Sequence, residues 1–526
     1  MDLPGRLLER LLARPLLLAP VLGALAACGF EPLHLWPLTL LAVAGLIELT
    51  ARATSRRRAF LIGWLWGVGH FTIGNNWIAT AFTYQAQMPA WMGWIAVFLT
   101  SLYLAVFPAL AVLGSWHLRR NYAALALGFM GFWIITEWMR SWVFTGFVWN
   151  PLGVAALGPA NRTGLAGLAR EVGTYGLSGL VVLFAASILI ALKRARADLR
   201  GIGMVVLPLL AFFDPFPAGK SVSGTVPFTL VQANTPQDRL NDPANFETQF
   251  VRSAQMSTPT PDEARGRLLL WSESGVPDLL REGYPAAYYD QTTFGADPKL
   301  ARERLGRVAG GGSLLLTGAV DLEVRGAEVV GARNAVTALD GSGAIRGSYY
   351  KAHLVPGGEY LPLRWLLEPI GLSRLVPGDI DFWAGPGPRT LDLGRFGKAG
   401  VQICYEIVFS GEVVDRSNRP DYIFNPTNDG WFGAWGPPQH LAQARLRAIE
   451  EGLPVLRVTT NGISAVIDAD GRVVRSLGRN VYGRIDGLIP PAAPPTLFAR
   501  AGNRLPLGLA VVLLAFAALV LRRARG

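Results

Sequence analysis

Three residues with reactive side chains stand where apolar runs end. Glu273 follows the run in LLLWSES, Lys351 sits in SYYKAHLVPGGEYLP, and Cys404 lies in VQICYEIVFS. Cys404 is one of only two cysteines in 526 residues, and Glu406 follows two positions later. A thiolate is the strongest side-chain nucleophile at neutral pH. A nearby ammonium lowers a thiol pKa, and a carboxylate can relay its proton. Brought together, the three residues would perform acyl transfer through a thioester. Each also has an ordinary reading: a solvated strand end, a surface lysine, a small core thiol. The lysine carries extra information, because the chain uses 44 arginines and only 5 lysines. A desolvated lysine can lose its proton and an arginine cannot. Glu359, by itself, reads as a loop carboxylate. Glu406 shares a strand face with Cys404 if that strand runs on, and an acid placed there is costly unless paired. His440, in GPPQHLAQARLRAIEEG, begins a helix and reads as a capping or packing histidine.

Other chemistries lose their support. None of the five histidines pairs with Cys or another His at ligand spacing, so no metal is expected. The chain has no G-x-S-x-G elbow, no Walker loop and no G-x-G-x-x-G after a strand. No cofactor is expected.

The elements that must hold these residues lie between about 225 and 490. Apolar runs at 227–234, 267–274, 312–320, 334–340, 399–406, 422–427, 454–460 and 464–470 read as strands. Helices fill 243–256, 296–309 and 438–452, and LDGSGAIRGSYYK reads as a hairpin. This alternation predicts a layered α/β domain, in which functional groups gather at one edge of the strands.

The rest of the chain is different in kind. Hydrophobic residues make up 51% and charged residues 17%, which points to membrane spans. Seven runs precede the α/β region, at about 8–28, 33–51, 59–81, 90–117, 122–142, 174–192 and 201–213, and an eighth covers 503–521. The first reads as a retained span rather than a signal peptide. Residues 214–500 hold 29 Lys+Arg and 31 Asp+Glu, and the remainder holds 20 and 7. The basic excess therefore belongs to the membrane part and calls for no nucleic-acid partner. Arg10, Arg14, Arg52, Arg56, Arg57, Arg58, Arg119, Arg120, Lys193, Arg194, Arg522 and Arg523 fall in alternate connections. By the positive-inside rule both termini are cytoplasmic and the α/β domain lies outside. The expected organisation is a membrane domain (1–213), a catalytic domain (214–500) and a last span with a basic tail (501–526). Cys28 and Cys404 fall in different domains, so no intrachain disulfide is expected.

WSES, YYKAHLVPGGEYLP and ICYEI resemble the Glu, Lys and Cys motifs of the nitrilase, or carbon–nitrogen hydrolase, superfamily. With the eight-span frame, the resemblance narrows to the apolipoprotein N-acyltransferases. GHFTIGNNWIATAF, TGFVWNPLG and the block NPTNDGWFGAWGPPQHLAQARLRAIEEGLPVLRVTTNGIS extend it over nearly the whole chain. The resemblance implies an αββα sandwich on the periplasmic side of a bacterial inner membrane. It makes Glu273 the general base, Lys351 the transition-state stabiliser and Cys404 the nucleophile. Glu359 becomes a second carboxylate orienting the lysine, with Tyr405 and Glu406 as supporting residues. Gly357 stands where the family usually has an aromatic residue, which predicts a more mobile loop. TTNGIS displaces the family's Asn to Asn461, which receives no role.

The implied reaction moves an acyl chain from the sn-1 position of a phospholipid, phosphatidylethanolamine by expectation, to the α-amine of a diacylglyceryl-cysteine lipoprotein. The protein is expected to act as a monomer. Each buried CH2 is worth about 0.8 kcal/mol, so a long acyl chain should stay in the bilayer while its ester end rises into the domain. YLPLRWLLEPIG (360–371) and WFGAWGPP (431–438) are candidate membrane-facing arms, carrying Trp365, Trp431 and Trp435. Two rivals remain at this stage. A membrane-tethered amidase would use the same trio on a small amide. A transporter would need ionisable residues within its spans, where Glu48, Glu137 and His70 are the main candidates.

Overall fold

The computed structural model describes residues 9–84, 88–194, 224–260, 266–370, 374–375 and 380–524. The expected seventh span, 201–213, lies outside them. The chain divides into two compact units, one of residues Met1–Ala79, Trp91–Ala218 and Pro495–Gly526, the other of Thr80–Ala90 and Gly219–Pro494.

The first unit is helical. Among the described residues, four of its helices are long and apolar enough to cross a membrane: Met92–Trp116, Tyr122–Met139, Leu165–Lys193 and Arg504–Arg523. Helices Pro15–Ala27, Trp36–Arg52 and Arg56–Gly74 accompany them. Caps set their starts. Asn121 accepts from the Ala123 and Ala124 amides, and Ser55 from the Arg58 amide. Helices Pro15–Ala27 and Arg56–Gly74 pack through glycine: a Cβ on Gly23 would lie 1.9 Å from the Trp66 carbonyl oxygen. The span expected at 59–81 is not continuous. It stops at Gly74 and resumes as Trp77–Ala81, because the Asn76 amide takes the Ile73 carbonyl, 3.0 Å away, that a continuing helix would use.

Two of the ionisable residues that suggested transport, Glu48 and Glu137, are structural ties. Glu48 accepts from Arg52 Nε (2.6 Å) and the Tyr122 hydroxyl (2.9 Å), and pairs with Lys193 Nζ at 2.8 Å. It thereby joins three helices. Glu137 accepts from the Leu152 amide at 2.8 Å and from the Trp133 indole at 3.3 Å.

The second unit contains two six-stranded sheets. The first is built from β1 (Pro227–Gln232), β2 (Leu268–Leu270), β3 (Leu314–Arg325), β4 (Glu328–Asp340), β5 (Ile345–Tyr350) and β12 (Gly483–Leu488), in the order β12-β1-β2-β3-β4-β5. The second is built from β6 (Thr390–Asp392), β7 (Lys398–Val401), β8 (Tyr422–Thr427), β9 (Val455–Thr459), β10 (Ser464–Ile467) and β11 (Val473–Leu477), in the order β11-β10-β9-β8-β7-β6. Each sheet has three parallel strands at its centre, β1-β2-β3 and β7-β8-β9, flanked by antiparallel ones. The parallel strands are the continuous apolar runs of the sequence, buried on both faces.

Helix Pro298–Ala309, capped by Asp297, lays Ala301, Leu305 and Ala309 on Leu269, Leu315 and Leu339 of the first sheet. Helix Gly436–Glu451 belongs to the second sheet and ends at Gly452, whose left-handed φ of 64° closes it. The sheets meet across a polar seam. The Gln232 side-chain oxygen on β1 accepts from the Thr459 hydroxyl (3.0 Å) and the Ser464 hydroxyl (2.6 Å). A nitrilase-like α/β fold is thus present. Three expected strands are too long: 267–274 narrows to Leu268–Leu270, 464–470 ends at Ile467, and 399–406 ends at Val401, with Cys404–Val408 a short 3-10 turn.

Candidate active site

Glu273 lies three residues beyond β2, where the strand has turned towards β3. Gly318 makes that turn possible, since a Cβ there would sit 1.6 Å from the Glu273 carbonyl oxygen. Lys351 follows β5 directly. Its amide donates to the Asn334 carbonyl at 2.9 Å, and its carbonyl accepts from Gly385 at 2.7 Å. The side chain is then fully buried, and Nζ lies 3.0 Å from Glu359 Oε2 and 3.4 Å from Glu273 Oε1. The two carboxylates are held from behind. Asn334 Nδ2 donates to both, at 2.8 Å to Glu273 and 3.0 Å to Glu359. The Asn428 amide donates to Glu273 Oε2 at 2.7 Å, and the Val355 amide to Glu359 Oε2 at 2.8 Å.

Cys404 opens the turn after β7 with φ +50°, a left-handed conformation unusual for a non-glycine residue. This geometry corrects the strand-face argument for Glu406. The acid does not alternate along a strand with Cys404. It folds back within the turn, and Oε2 accepts from the Ile403 amide at 2.7 Å. Its other oxygen accepts from the Tyr349 hydroxyl (2.8 Å) and the Ala352 amide (2.6 Å). Glu406 therefore fastens the Cys404 turn of the second sheet to the lysine-bearing end of β5 in the first. Burial raises its carboxyl pKa, while the Ala352, Tyr349 and Ile403 donors work against that.

The electrostatics refine two sequence expectations. Burial alone would lower Lys351, but the charges of Glu359 and Glu273 outweigh it and hold the pKa above the usual lysine value. Lys351 is a permanent cation here, not a proton donor-acceptor. Burial and then the Glu273 charge push the Cys404 thiol well above its ordinary value, and Lys351 offsets only part of this. A thiol raised in this way keeps its proton at neutral pH.

The other singled-out residues fall into place as follows. Tyr405 is buried and packs edge-on against Phe409, with ring centroids 5.1 Å apart. Trp365 is 76% exposed on the short helix Arg364–Leu367, beside exposed Leu363 and Leu366. Trp431 and Trp435 are half-buried, and Trp431 meets Tyr84 edge-on at 6.1 Å. Gly357 has φ +74°, which an aromatic residue would resist, and its amide and carbonyl both bond within the loop, to Tyr360 and Leu375. Asn461 accepts the Asn480 amide through its backbone carbonyl.

Sequence reasoning missed Asn334 and undervalued His440. Asn334 was legible only as the polar first residue of a run expected to be a strand. His440 is not at the helix start but within it, fully buried. Its Nε2 donates to the Cys404 carbonyl at 3.1 Å, and its Nδ1 lies 3.0 Å from Asp429. Burial, and after it the Arg457 charge, lower the His440 pKa. Burial works to raise Asp429, but Arg457 and His440 overcome it and hold that carboxyl below its usual range.

Known proteins bear on this arrangement. Residues 22–187 match the family model of the apolipoprotein N-acyltransferase N-terminal domain, and residues 242–491 match that of carbon–nitrogen hydrolases. An apolipoprotein N-acyltransferase of Rhodopseudomonas palustris is 34% identical over 97% of this chain and 95% of its own length. One from Bradyrhizobium diazoefficiens is 35% identical, with the same coverage of both chains. One from Caulobacter vibrioides is 34% identical over 92% of this chain and 91% of its own. Among solved structures, an amidase from Nesterenkonia sp. aligns at 18% identity with a TM-score of 0.32, over 52% of this chain and 94% of that one. A helical membrane unit joined to a carbon–nitrogen hydrolase unit, with end-to-end similarity to these acyltransferases, leads to one conclusion: the chain is a multi-pass membrane protein that belongs to the apolipoprotein N-acyltransferase family.

Proposed function

We propose that this acyltransferase works through a thioester on Cys404, taking its acyl group from the sn-1 ester of a phospholipid such as phosphatidylethanolamine. The acceptor is the free α-amine of a diacylglyceryl-cysteine lipoprotein. The observation that carries the reading is the buried Lys351 ammonium between Glu273 and Glu359, whose charge, with that of Glu273, acts on the Cys404 thiol.

In the first half-reaction Cys404 Sγ attacks the ester carbonyl as Glu273 takes its proton. Lys351 and the Tyr405 backbone N–H stabilise the oxyanion; one such donor typically contributes about 100- to 1,000-fold in rate. The C–O bond breaks, Glu273 returns the proton to the departing lysophospholipid, and the thioester remains. In the second half-reaction the unprotonated amine attacks the thioester carbonyl. Glu273 accepts the amine's proton, the C–S bond breaks, and the proton passes back to the sulfur. Glu359 and Asn334 keep the lysine and the base in place throughout. The α/β domain acts at the periplasmic face, with both termini in the cytoplasm.

The test is mass spectrometry of the full-length protein incubated with phosphatidylethanolamine. A fatty-acyl mass gain on Cys404 is expected, lost in Cys404→Ala and discharged by a diacylglyceryl lipopeptide with a free amine. Absence of the adduct from the unaltered protein, or its persistence in Cys404→Ala, sinks the reading.

A further inference from the structure

Behind the nucleophile turn lies a chain of fully buried polar side chains that the acyl-transfer mechanism above does not use. It starts at the Gln402 carbonyl, which accepts from Asn425 Nδ2 at 2.7 Å. Asn425 Oδ1 accepts from Arg457 Nη1 at 2.6 Å. Arg457 Nη2 donates to both Asp429 oxygens at 2.8 Å and lies 3.2 Å from His440 Nδ1. His440 Nε2 then donates to the Cys404 carbonyl at 3.1 Å. Asn425, Arg457 and His440 have no measurable exposure, and Asp429 is 2% exposed. The chain thus begins and ends on the nucleophile turn, at the carbonyls of residues 402 and 404.

We infer that His440, held by Asp429 and Arg457, is a positioning residue that aims the oxyanion-binding N–H of Tyr405. The inference rests on the thioester reading above. The reason is geometric. In a planar trans peptide the C=O and the following N–H point in opposite directions. Anchoring the Cys404 carbonyl on His440 therefore turns the Tyr405 N–H away from the polar cluster. The same bond holds Cys404 at φ +50°, a conformation an L-residue leaves unless its surroundings fix it. Asp429 Oδ1, 3.0 Å from Nδ1, and the Cys404 carbonyl, 3.1 Å from Nε2, are both acceptors, so the ring is held at both nitrogens, while Arg457 holds Asp429 from the other side. Burial makes the anchor rigid, because each of these groups would leave an unsatisfied partner if it swung away.

The experiment compares two reactions of the same thiol in the full-length protein. Acylation by phosphatidylethanolamine passes through an oxyanion. Alkylation by iodoacetamide does not. His440→Leu should slow Cys404 acylation by about 100-fold or more and alkylation by less than about threefold. The KM for phospholipid should stay near the unaltered value. His440→Gln, whose amide can still donate to the carbonyl, should recover at least tenfold of the lost acylation, and it decides the matter alone if the leucine variant does not fold. Equal loss of acylation and alkylation, or a glutamine variant no faster than His440→Asn, overturns the positioning role and leaves the thioester intact. Full acylation in every variant does the same. If the unaltered protein forms no adduct on Cys404, the thioester reading fails and this inference fails with it.

Discussion

At the scale of single residues, the site depends on keeping charge where water is absent. Lys351 carries a buried positive charge because two carboxylates surround it, and they are tolerable only because Asn334, Asn428 and Val355 supply further donors. Lys351→Met should lower Cys404 acylation by about 100- to 1,000-fold, the scale of a lost oxyanion donor. Lys351→Arg should not restore it, since a planar guanidinium cannot replace a point charge between two acids 3.0 and 3.4 Å away. Single-turnover acylation rates check both, and an arginine variant within tenfold of the unaltered enzyme would count against the steric argument. The thiol makes a second prediction. Its pKa is raised, so alkylation of Cys404 by iodoacetamide should keep climbing with pH beyond 9, the ordinary thiol value. A plateau reached below pH 8 would mean a stored thiolate and would contradict the neutral resting state. Type and motif in the sequence were enough to single these residues out as candidates. Their charge states were not, because the balance between burial and neighbours is set by residues far away in the chain.

At the scale of elements, the strands most exposed to water were the least legible. The parallel strands announced themselves as unbroken apolar runs. β11 reads VVRSL with its middle residues exposed, and β12 reads GRIDGL, so neither carries a hydrophobic signature. The turn at Cys404 was hidden for another reason. ICYEI is as apolar as a strand, and only the recapture of the Ile403 amide by Glu406 makes it a turn. Helix Gly436–Glu451 raises a stability question at its far end. Glu451, its last residue, is 1% exposed and neither of its carboxylate oxygens has a hydrogen bond. It also faces the negative end of the helix dipole. Burial, reinforced by neighbouring Glu450, pushes its pKa up to about 7. A carboxyl raised in the folded state contributes its full stability below its unfolded pKa and loses it as pH rises through 7. Glu451→Gln should therefore match the unaltered protein near pH 4.5 and melt at higher temperature at pH 8, by an amount corresponding to roughly 3 kcal/mol at most. A glutamine variant that melts lower at pH 8 would show that the charge has a partner that stabilises it.

At the scale of the whole molecule, the division of labour was the clearest message of the sequence. Charge alone separated a basic apolar portion from a nearly neutral one, and the structure separates a helical unit from an α/β unit. Less legible was Thr80–Ala90, which the sequence assigned to the membrane portion but which groups with the catalytic unit. Its Tyr84 meets Trp431, a contact between segments almost 350 positions apart that no local pattern announces. For the lipid substrates proposed above, the exposed apolar ridge of Leu363, Trp365 and Leu366 has a natural use as a lipid-facing arm. In phospholipid vesicles Trp365→Asp should raise the KM for phospholipid several-fold and leave the melting temperature within about a degree. Unchanged kinetics in Trp365→Asp and Trp435→Asp alike would remove both arms from the account.

The antiparallel pairing of β1 with β12 has a consequence for how the protein is made. Pro227 sits opposite Leu488, so the first strand of the domain waits for the last before its outer edge is closed. All three reactive residues leave the ribosome well before that strand does. A nascent chain halted near residue 480 would carry the complete trio on an open sheet whose unpaired edge invites the wrong partner. Biosynthesis thus withholds a finished domain, and with it the assembled site, until nearly the whole polypeptide has been made.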